Sequence, residues 1–138
     1  MTRSFFDTNV LVYLFDNDEP EKKARAQGIY EREARAGRAV LSTQVLQEFY
    51  VNVTRKLSPP LSSEVAEERV RDFSKLSLVR VEVGMILSAI VRSREYMLSF
   101  WDALIVESAL RGGADRLLTE DLQHGQVIEG LRIENPFL

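Results

Sequence analysis

The hydrophobic and polar positions of this sequence change their period several times along the chain, which is typical of short buried strands that alternate with helices. Near the N-terminus, the apolar pair at 5–6 is followed by a carboxylate, Asp7, and then by an apolar run at 10–15. The pair predicts the end of a buried strand, and the run predicts an inward-facing helix. Asp7 therefore lies between a strand end and a helix, where open α/β sheets place their ligand crevice.

The next segments predict a helix, a strand and a second helix. Pro20 is well placed as the first residue of a charged helix over 21–36, which ends at Gly37. Residues 38–42 predict a strand, and Thr43 is positioned to cap the helix that follows it. The apolar residues of that helix recur on one face, at Val45, Leu46, Phe49, Tyr50, Val53 and Leu57, whereas Gln44, Glu48, Asn52 and Arg55 occupy the other.

The second half continues the alternation of helices and strands. Helices are predicted over 64–75, 85–97 and 100–111, the last of them stopped by Gly112 and Gly113. Strands are predicted at Val79, Val81 and Val83, which alternate with charged residues, and at 116–119 and 131–133. This order predicts a single α/β domain over 1–138, with a short, mainly parallel sheet flanked by helices.

Composition and charge narrow the class of protein. The chain has 138 residues, of which 45% are apolar and 28% charged, as in ordinary globular proteins. It contains no cysteine and no pattern of a signal peptide, and no apolar run approaches the ~18 residues of a membrane span, so we expect a cytoplasmic protein without a membrane partner. The net charge of −3 argues against strong non-specific attraction to nucleic acid.

Four carboxylates are candidates for a common site. Asp7 and Asp121 follow predicted strands, Glu48 lies in the helix after the second strand, and Asp102 begins an apolar helix. Strand ends and the helix starts that follow them share one edge of a parallel sheet, so these side chains could converge there. They would repel one another without a cation, and all-oxygen ligands select Mg²⁺ or Mn²⁺.

Asp102 and Asp121 also have simpler explanations. Asp102 follows Ser99 with the spacing of a capping box, and Asp121 is a common type of turn residue. Asp7 is harder to explain in this way, since a buried and unpaired carboxylate is costly. Trp101 could stack on a base, although core packing is the simpler interpretation. The basic candidates for phosphate contacts are Arg55, Lys56, Arg92 and Arg94.

Four short motifs carry a resemblance to a known family. They are Asp7-Thr8-Asn9 after an aromatic strand, a helix start from Thr43 to Glu48, the run Phe100-Trp101-Asp102-Ala103-Leu104-Ile105, and Leu118-Thr119-Glu120-Asp121. Each motif alone is weak, but the ordered set extends over essentially the whole chain. In this order they resemble the PIN domain, and specifically the VapC-type toxin ribonucleases of bacterial toxin-antitoxin pairs.

The resemblance implies a three-layer α/β sandwich and an endoribonuclease that depends on Mg²⁺ or Mn²⁺. The first three acids of the family's site would correspond to Asp7, Glu48 and Asp102. The fourth would correspond to Asp121 or the adjacent Glu120. Asp7 and Asp102 would be the primary ligands, Asp121 a ligand directly or through water, and Glu48 a ligand or a base that orients water. Thr8, Asn9 and Thr119 would be supporting residues.

The resemblance also implies an antitoxin partner, an RNA substrate and a homodimer. Two other functions remain open. The first is a PIN-like module that binds RNA or protein without catalysis. The second is a phosphohydrolase with Asp7 as phosphoryl acceptor, although Asn9 stands where such enzymes carry a second aspartate.

Overall fold

The computed structural model describes residues 2–138, which form one six-stranded sheet between helices. The strands are β1 (Ser4–Phe6), β2 (Ala39–Ser42), β3 (Ser77–Val79), β4 (Arg116–Leu118), β5 (Val127–Ile128) and β6 (Leu131–Glu134). Their order in the sheet is β3-β2-β1-β4-β6-β5. Every neighbouring pair is parallel except β5 and β6. The predicted α/β class with a mainly parallel sheet is therefore confirmed.

Six helices connect and cover these strands. They are α1 (Thr8–Tyr13), α2 (Pro20–Arg35), α3 (Thr43–Arg55), α4 (Ser63–Phe73), α5 (Val83–Tyr96) and α6 (Phe100–Arg111). The predicted helices are all present, and α6 has the predicted bounds because Ser99 caps its start and Gly112 follows its end. None of the helices in residues 2–138 combines the length and the apolar character of a membrane span.

Two local predictions are wrong. The cap of α3 is Ser42, whose Oγ accepts from the Val45 amide at 3.3 Å, whereas the Thr43 hydroxyl accepts from the Val81 amide at 3.1 Å. The third strand ends at Val79, and Val83 begins α5 in an exposed position. Of the three alternating valines, only Val81 lies in the link between β3 and α5, where its amide donates to the Thr43 hydroxyl instead of to a neighbouring strand.

The strand order places a crevice beside β1. From β1 the chain builds outward through β2 and β3, and then returns to place β4 on the other side of β1. The connections that leave the carboxyl ends of β1 and β4 therefore run in opposite directions along the sheet. Open α/β sheets bind ligands at such a reversal of the strand order. Both strands are central, since Phe5, Phe6, Leu117 and Leu118 are fully buried. The edge of the sheet beside this crevice is thus carried by fully buried strands.

The end of α6 packs tightly on the sheet through Gly112. A Cβ at this position would lie 2.7 Å from Val40 Cγ1 and 2.9 Å from Val79 Cγ2, closer than carbon atoms pack. The glycine therefore lets the helix end approach β2 and β3.

We expect Gly112→Ala to lower the free energy of unfolding by about 1–3 kcal/mol, the usual cost of overpacking. Gly28→Ala is the matched control, since its Cβ meets nothing within 4 Å in α2. It should raise stability by up to about 1 kcal/mol through helix propensity. Urea unfolding of both variants measures the difference, and equal stabilities would contradict this account of the packing.

Candidate active site

All four candidate carboxylates line one cavity of about 160 Å³ at this edge of the sheet. Asp7 follows β1, Glu48 lies in α3, Asp102 lies in the first turn of α6, and Asp121 follows β4. The other lining residues are Thr8, Asn9, Gln44, Asn52, Trp101 and Ile105, so none of the described residues that line the cavity is basic. Four distant parts of the sequence therefore contribute negative charge to one small space.

Asp7 joins the two central strands across the crevice. Its side chain caps α1, with Oδ1 accepting from the Thr8 amide at 2.7 Å. Its Oδ2 accepts from the Thr119 hydroxyl at 2.8 Å, and its own amide donates to the Leu118 carbonyl at 3.0 Å. The residue is only 5% exposed. Its carboxylate is thus fixed by the first residues after β1 and β4.

Burial opposes the negative charge of this carboxylate. Desolvation raises the pKa of Asp7 from 3.8 to about 7, although the hydrogen bonds from Thr119 and Thr8 lower it, and the charges of Asp121 and Glu48 add to the rise. Partial burial also raises the pKa of Asp102, and Asp121 and Glu48 again act in the same direction. The cavity therefore holds more negative charge at neutral pH than the surrounding residues compensate.

The predicted supporting residues hold the other acids as well as Asp7. The Thr8 hydroxyl donates to Glu48 Oε1 at 2.7 Å. The Asn9 amide group donates to Asp121 Oδ2 at 2.9 Å, and is 3.5 Å from Asp7 Oδ2. Thr119 Oγ1 accepts from the Asp121 amide at 3.0 Å while it donates to Asp7. The motif after β1 therefore orients carboxylates that come from other parts of the chain.

Glu120 and Asp121 are adjacent in sequence but lie in different surroundings. Asp121 lines the cavity. Glu120 accepts from the Tyr13 hydroxyl at 2.7 Å and forms an ion pair with Lys22 at 3.0 Å. Hydrogen bonds with Tyr13 and Glu120 raise the pKa of Lys22. Of the two candidates for the fourth acid, the geometry favours Asp121, because the charge of Glu120 is already paired outside the cavity.

The donor set fits a hard divalent cation that keeps part of its water. Within residues 2–138, no three histidine, aspartate or glutamate side chains form a group that could hold a metal ion by themselves. Thr8 and Asn9 donate hydrogen bonds to Glu48 and Asp121 at the cavity wall. Mg²⁺ is commonly bound through only one or two carboxylates and several waters, and it requires oxygen ligands. The oxygen donors of the cavity are therefore of the chemical type that Mg²⁺ or Mn²⁺ would take, with water completing the ligand set.

Two interpretations of neighbouring residues are wrong. Trp101 is 60% exposed at the rim of the cavity, so it is not a core residue. The Arg92 side chain is only 12% exposed and forms ion pairs with Glu107 at 3.0 Å and Glu129 at 2.9 Å. It braces α5 against α6 and the β5–β6 turn, and is not free to contact phosphate. Lys56, in contrast, lies beside the site in a second cleft.

Sequence reasoning missed the amide side chains that belong to the same wall. Gln44 and Asn52 line the acid cavity, and Gln44 is 4% exposed although it stands on the polar face of α3. The signal was present in the sequence. Gln44, Glu48 and Asn52 are spaced four residues apart, so a helix aligns them on one face.

Comparison with known proteins agrees with this fold. The profile of the PIN domain family matches residues 4–129. No curated protein sequence matches the chain. The chain therefore belongs to the PIN domain family, and the resemblance predicted from its motifs is confirmed.

Solved structures show the same architecture. A chain of a toxin-antitoxin complex from Klebsiella pneumoniae is 22% identical with a TM-score of 0.69, over 96% of this chain and 97% of that one. A chain of VapBC2 from Rickettsia felis, bound to a promoter DNA fragment, is 21% identical with a TM-score of 0.66, over 97% of this chain and 98% of that one. VapC20 from Mycobacterium tuberculosis, a toxin that cleaves the sarcin-ricin loop, is 20% identical with a TM-score of 0.57, over 83% of this chain and 86% of that one. At these identities, the similarity concerns the fold.

We expect Asp7→Asn to stabilise the metal-free protein at neutral pH. The pKa of Asp7 is about 7 in the folded protein against an ordinary value of 3.8, so its contribution to stability is fully present below about pH 4 and is lost as the pH rises through 7. The free energy of unfolding of the variant should therefore exceed that of wild type by little at pH 4 and by up to about 4 kcal/mol at pH 8. Urea unfolding in EDTA at several pH values measures this gain, and a variant less stable than wild type at pH 8 would contradict it.

Proposed function

We propose that this protein is an endoribonuclease dependent on Mg²⁺ or Mn²⁺, and that it is the toxin of a toxin-antitoxin pair. One observation carries the proposal. Four carboxylates from separate segments line one cavity without a basic residue among its described lining, and burial raises the pKa of the central one. Such a cavity suits a divalent cation, and a bound cation suits attack on a phosphodiester. Membership of the PIN domain family and the RNA-cleaving relative VapC20 support the assignment of RNA as substrate.

The residues of the chain divide the work of hydrolysis. A carboxylate-bound Mg²⁺ or Mn²⁺ would supply a polarised water and neutralise charge on the scissile phosphate. Asp7 and Asp102 would hold the ion, and Asp121 would contact it directly or through water. Glu48, which accepts from the Thr8 hydroxyl, would be a further ligand or would orient the attacking water and take its proton. The hydrogen bond from Thr119 to Asp7 joins the ends of β1 and β4, beside which Glu48 and Asp102 would complete this set.

The partner in this proposal is an antitoxin. Two of the similar solved structures are toxin-antitoxin assemblies, and one of them is bound to promoter DNA. An inhibitor of this kind would act most simply by occupying the acid cavity or its rim. A short reading frame beside the gene, encoding a small DNA-binding protein, would support this part of the proposal.

The central prediction is that Asp7→Asn and Asp102→Asn abolish RNA cleavage. The loss should reach at least the roughly 100-fold that supporting residues of metal sites already cost when they are mutated. Cleavage of a structured RNA is measured during titration with Mg²⁺ and Mn²⁺, in parallel with circular dichroism. Asp18→Asn is the matched control, since Asp18 is an exposed aspartate outside the cavity, and it should leave cleavage unchanged.

The outcomes separate the possible functions. A folded Asp7→Asn protein that cleaves normally would contradict the assignment of the site. A wild-type protein that binds RNA tightly but does not cleave it with either metal would instead indicate a binding module.

We also propose that two copies of the protein pair through the outer face of α5. This face carries large exposed apolar side chains, at Val83, Ile86, Leu87, Ile90 and Val91. These side chains form an apolar stripe along α5. Glu82 precedes this stripe and Arg94 follows it, and both charged residues are exposed. Antiparallel packing of two such helices would place Glu82 of one copy near Arg94 of the other. A second copy would therefore cover this apolar face and complement the charges at its two ends.

We expect Leu87→Glu to weaken this dimer by about 30-fold or more, as for a residue at the centre of an interface. The stability of each copy should change little, because Leu87 is exposed. Val65→Glu on α4 is the matched control, an exposed apolar residue outside the stripe, and should leave the dimer intact. Sedimentation at micromolar concentration measures both variants, and a wild-type monomer would refute the interface.

A further inference from the structure

A second cleft of about 470 Å³ adjoins the acid cavity. It is lined by Gln44, Gln47, Glu48, Val51, Asn52, Lys56 and Trp101. Four of these residues also line the acid cavity, namely Gln44, Glu48, Asn52 and Trp101. The two spaces are therefore continuous along one face of α3. A polymer with a bond in the acid cavity would extend into this cleft.

Trp101 forms the aromatic wall of the cleft. It is exposed, and its ring packs edge-on against Phe100 with ring centroids 5.1 Å apart, so it is supported from one side. Its neighbours in the cleft are three amide side chains, one lysine, one valine and the carboxylate of Glu48. Aromatic rings in such surroundings serve as stacking platforms for unpaired bases. A base on Trp101 would remove a large apolar surface from water.

Gln44 supplies an unsatisfied hydrogen-bond acceptor to the same wall. Its Nε2 donates to the Trp101 carbonyl at 3.3 Å, and no donor in residues 2–138 reaches its Oε1, although that atom is buried. The amide cannot be reversed, since Oε1 would then face the carbonyl oxygen of Trp101. A buried acceptor without a partner is costly, and a ligand donor would remove that cost. The exocyclic amino group or ring N–H of a base is such a donor.

We propose that this cleft binds an unpaired RNA nucleotide adjacent to the scissile bond. Its base stacks on Trp101, its edge is recognised by the amides of Gln44 and Asn52, and Lys56 contacts a backbone phosphate. The proposal rests on the proposed ribonuclease function and adds that the substrate is single-stranded at this position. Base pairing in an A-form helix hides the faces and edges that the cleft recognises.

The first test uses Trp101 as its own reporter, because it is the only tryptophan in the chain. The Asp7→Asn protein in EDTA is titrated with short single-stranded RNA of random sequence. A matched oligomer without bases and an RNA duplex of the same strand length are the comparison probes. We expect saturable quenching by the single strand, and at least about fivefold weaker binding of the other two. Equal responses to all three probes would overturn the proposal.

The second test measures cleavage kinetics. Trp101→Ala should raise KM for single-stranded RNA by about 5- to 150-fold, the usual range for loss of one stacked base, with a smaller effect on kcat. Trp101→Phe should restore most of the affinity, because a phenyl ring still stacks. Gln44→Met, which keeps the size of the side chain, should change the relative rates on the four homopolymers. Unchanged KM in Trp101→Ala would overturn the proposal.

These tests separate this inference from the proposed function. Quenching by single-stranded RNA without any cleavage would support the cleft while the nuclease assignment fails. Cleavage without quenching would retain the nuclease and overturn the cleft. A change in Trp101 fluorescence on dilution in the absence of RNA would place the ring between two copies, and would also overturn it.

Discussion

The structure depends on one buried carboxylate at the point where the strand order of the sheet reverses. Asp7 follows β1, is almost fully buried and has no basic neighbour in its cavity. A charge in such a place is costly, and burial raises the pKa of Asp7 further than its two hydrogen bonds lower it. A fold that retained this residue only for stability would do better with an uncharged one. The cost is explained if the negative charge has a use.

The surrounding polar residues make that carboxylate part of a hydrogen-bonded network. Thr119 donates to Asp7 and accepts from the Asp121 amide, so one hydroxyl links the ends of β1 and β4. Thr8 and Asn9, in the first turn of α1, hold Glu48 and Asp121. The positions of three acids are therefore set by residues immediately after β1, whose own strand lies in the fully buried core. Asp102 is placed separately, by the cap that Ser99 provides for α6.

Local signals explain which parts of this arrangement could be predicted from the sequence. The bounds of α6 follow from a cap, an apolar run and two glycines, all visible in the sequence. The convergence of Asp7 and Asp121 follows from the rule for parallel strand ends. The end of β3 was not predictable in this way, because Val81 bonds the Thr43 hydroxyl, a contact between distant residues. The predictions of a core position for Trp101 and a phosphate contact for Arg92 were wrong for the same reason. Neither an exposed ring at a cavity rim nor an ion pair with Glu107 leaves a local pattern in the sequence.

The charge of the protein explains why its cleft carries amides and an aromatic ring. With a net charge of −3 and four carboxylates around the reacting position, this chain repels a polyanion at long range. The structure reduces this repulsion locally, since Lys22 and Tyr13 hold the charge of Glu120 outside the cavity. Apart from the proposed phosphate contact of Lys56, the attraction for an RNA strand would come from short-range contacts that salt screens little, such as stacking and amide hydrogen bonds. In the proposed ribonuclease, Gln44, Asn52 and Trp101 would provide these contacts beside the acids, so affinity for a strand and the chemistry of its cleavage would be carried by adjoining walls of α3 and α6.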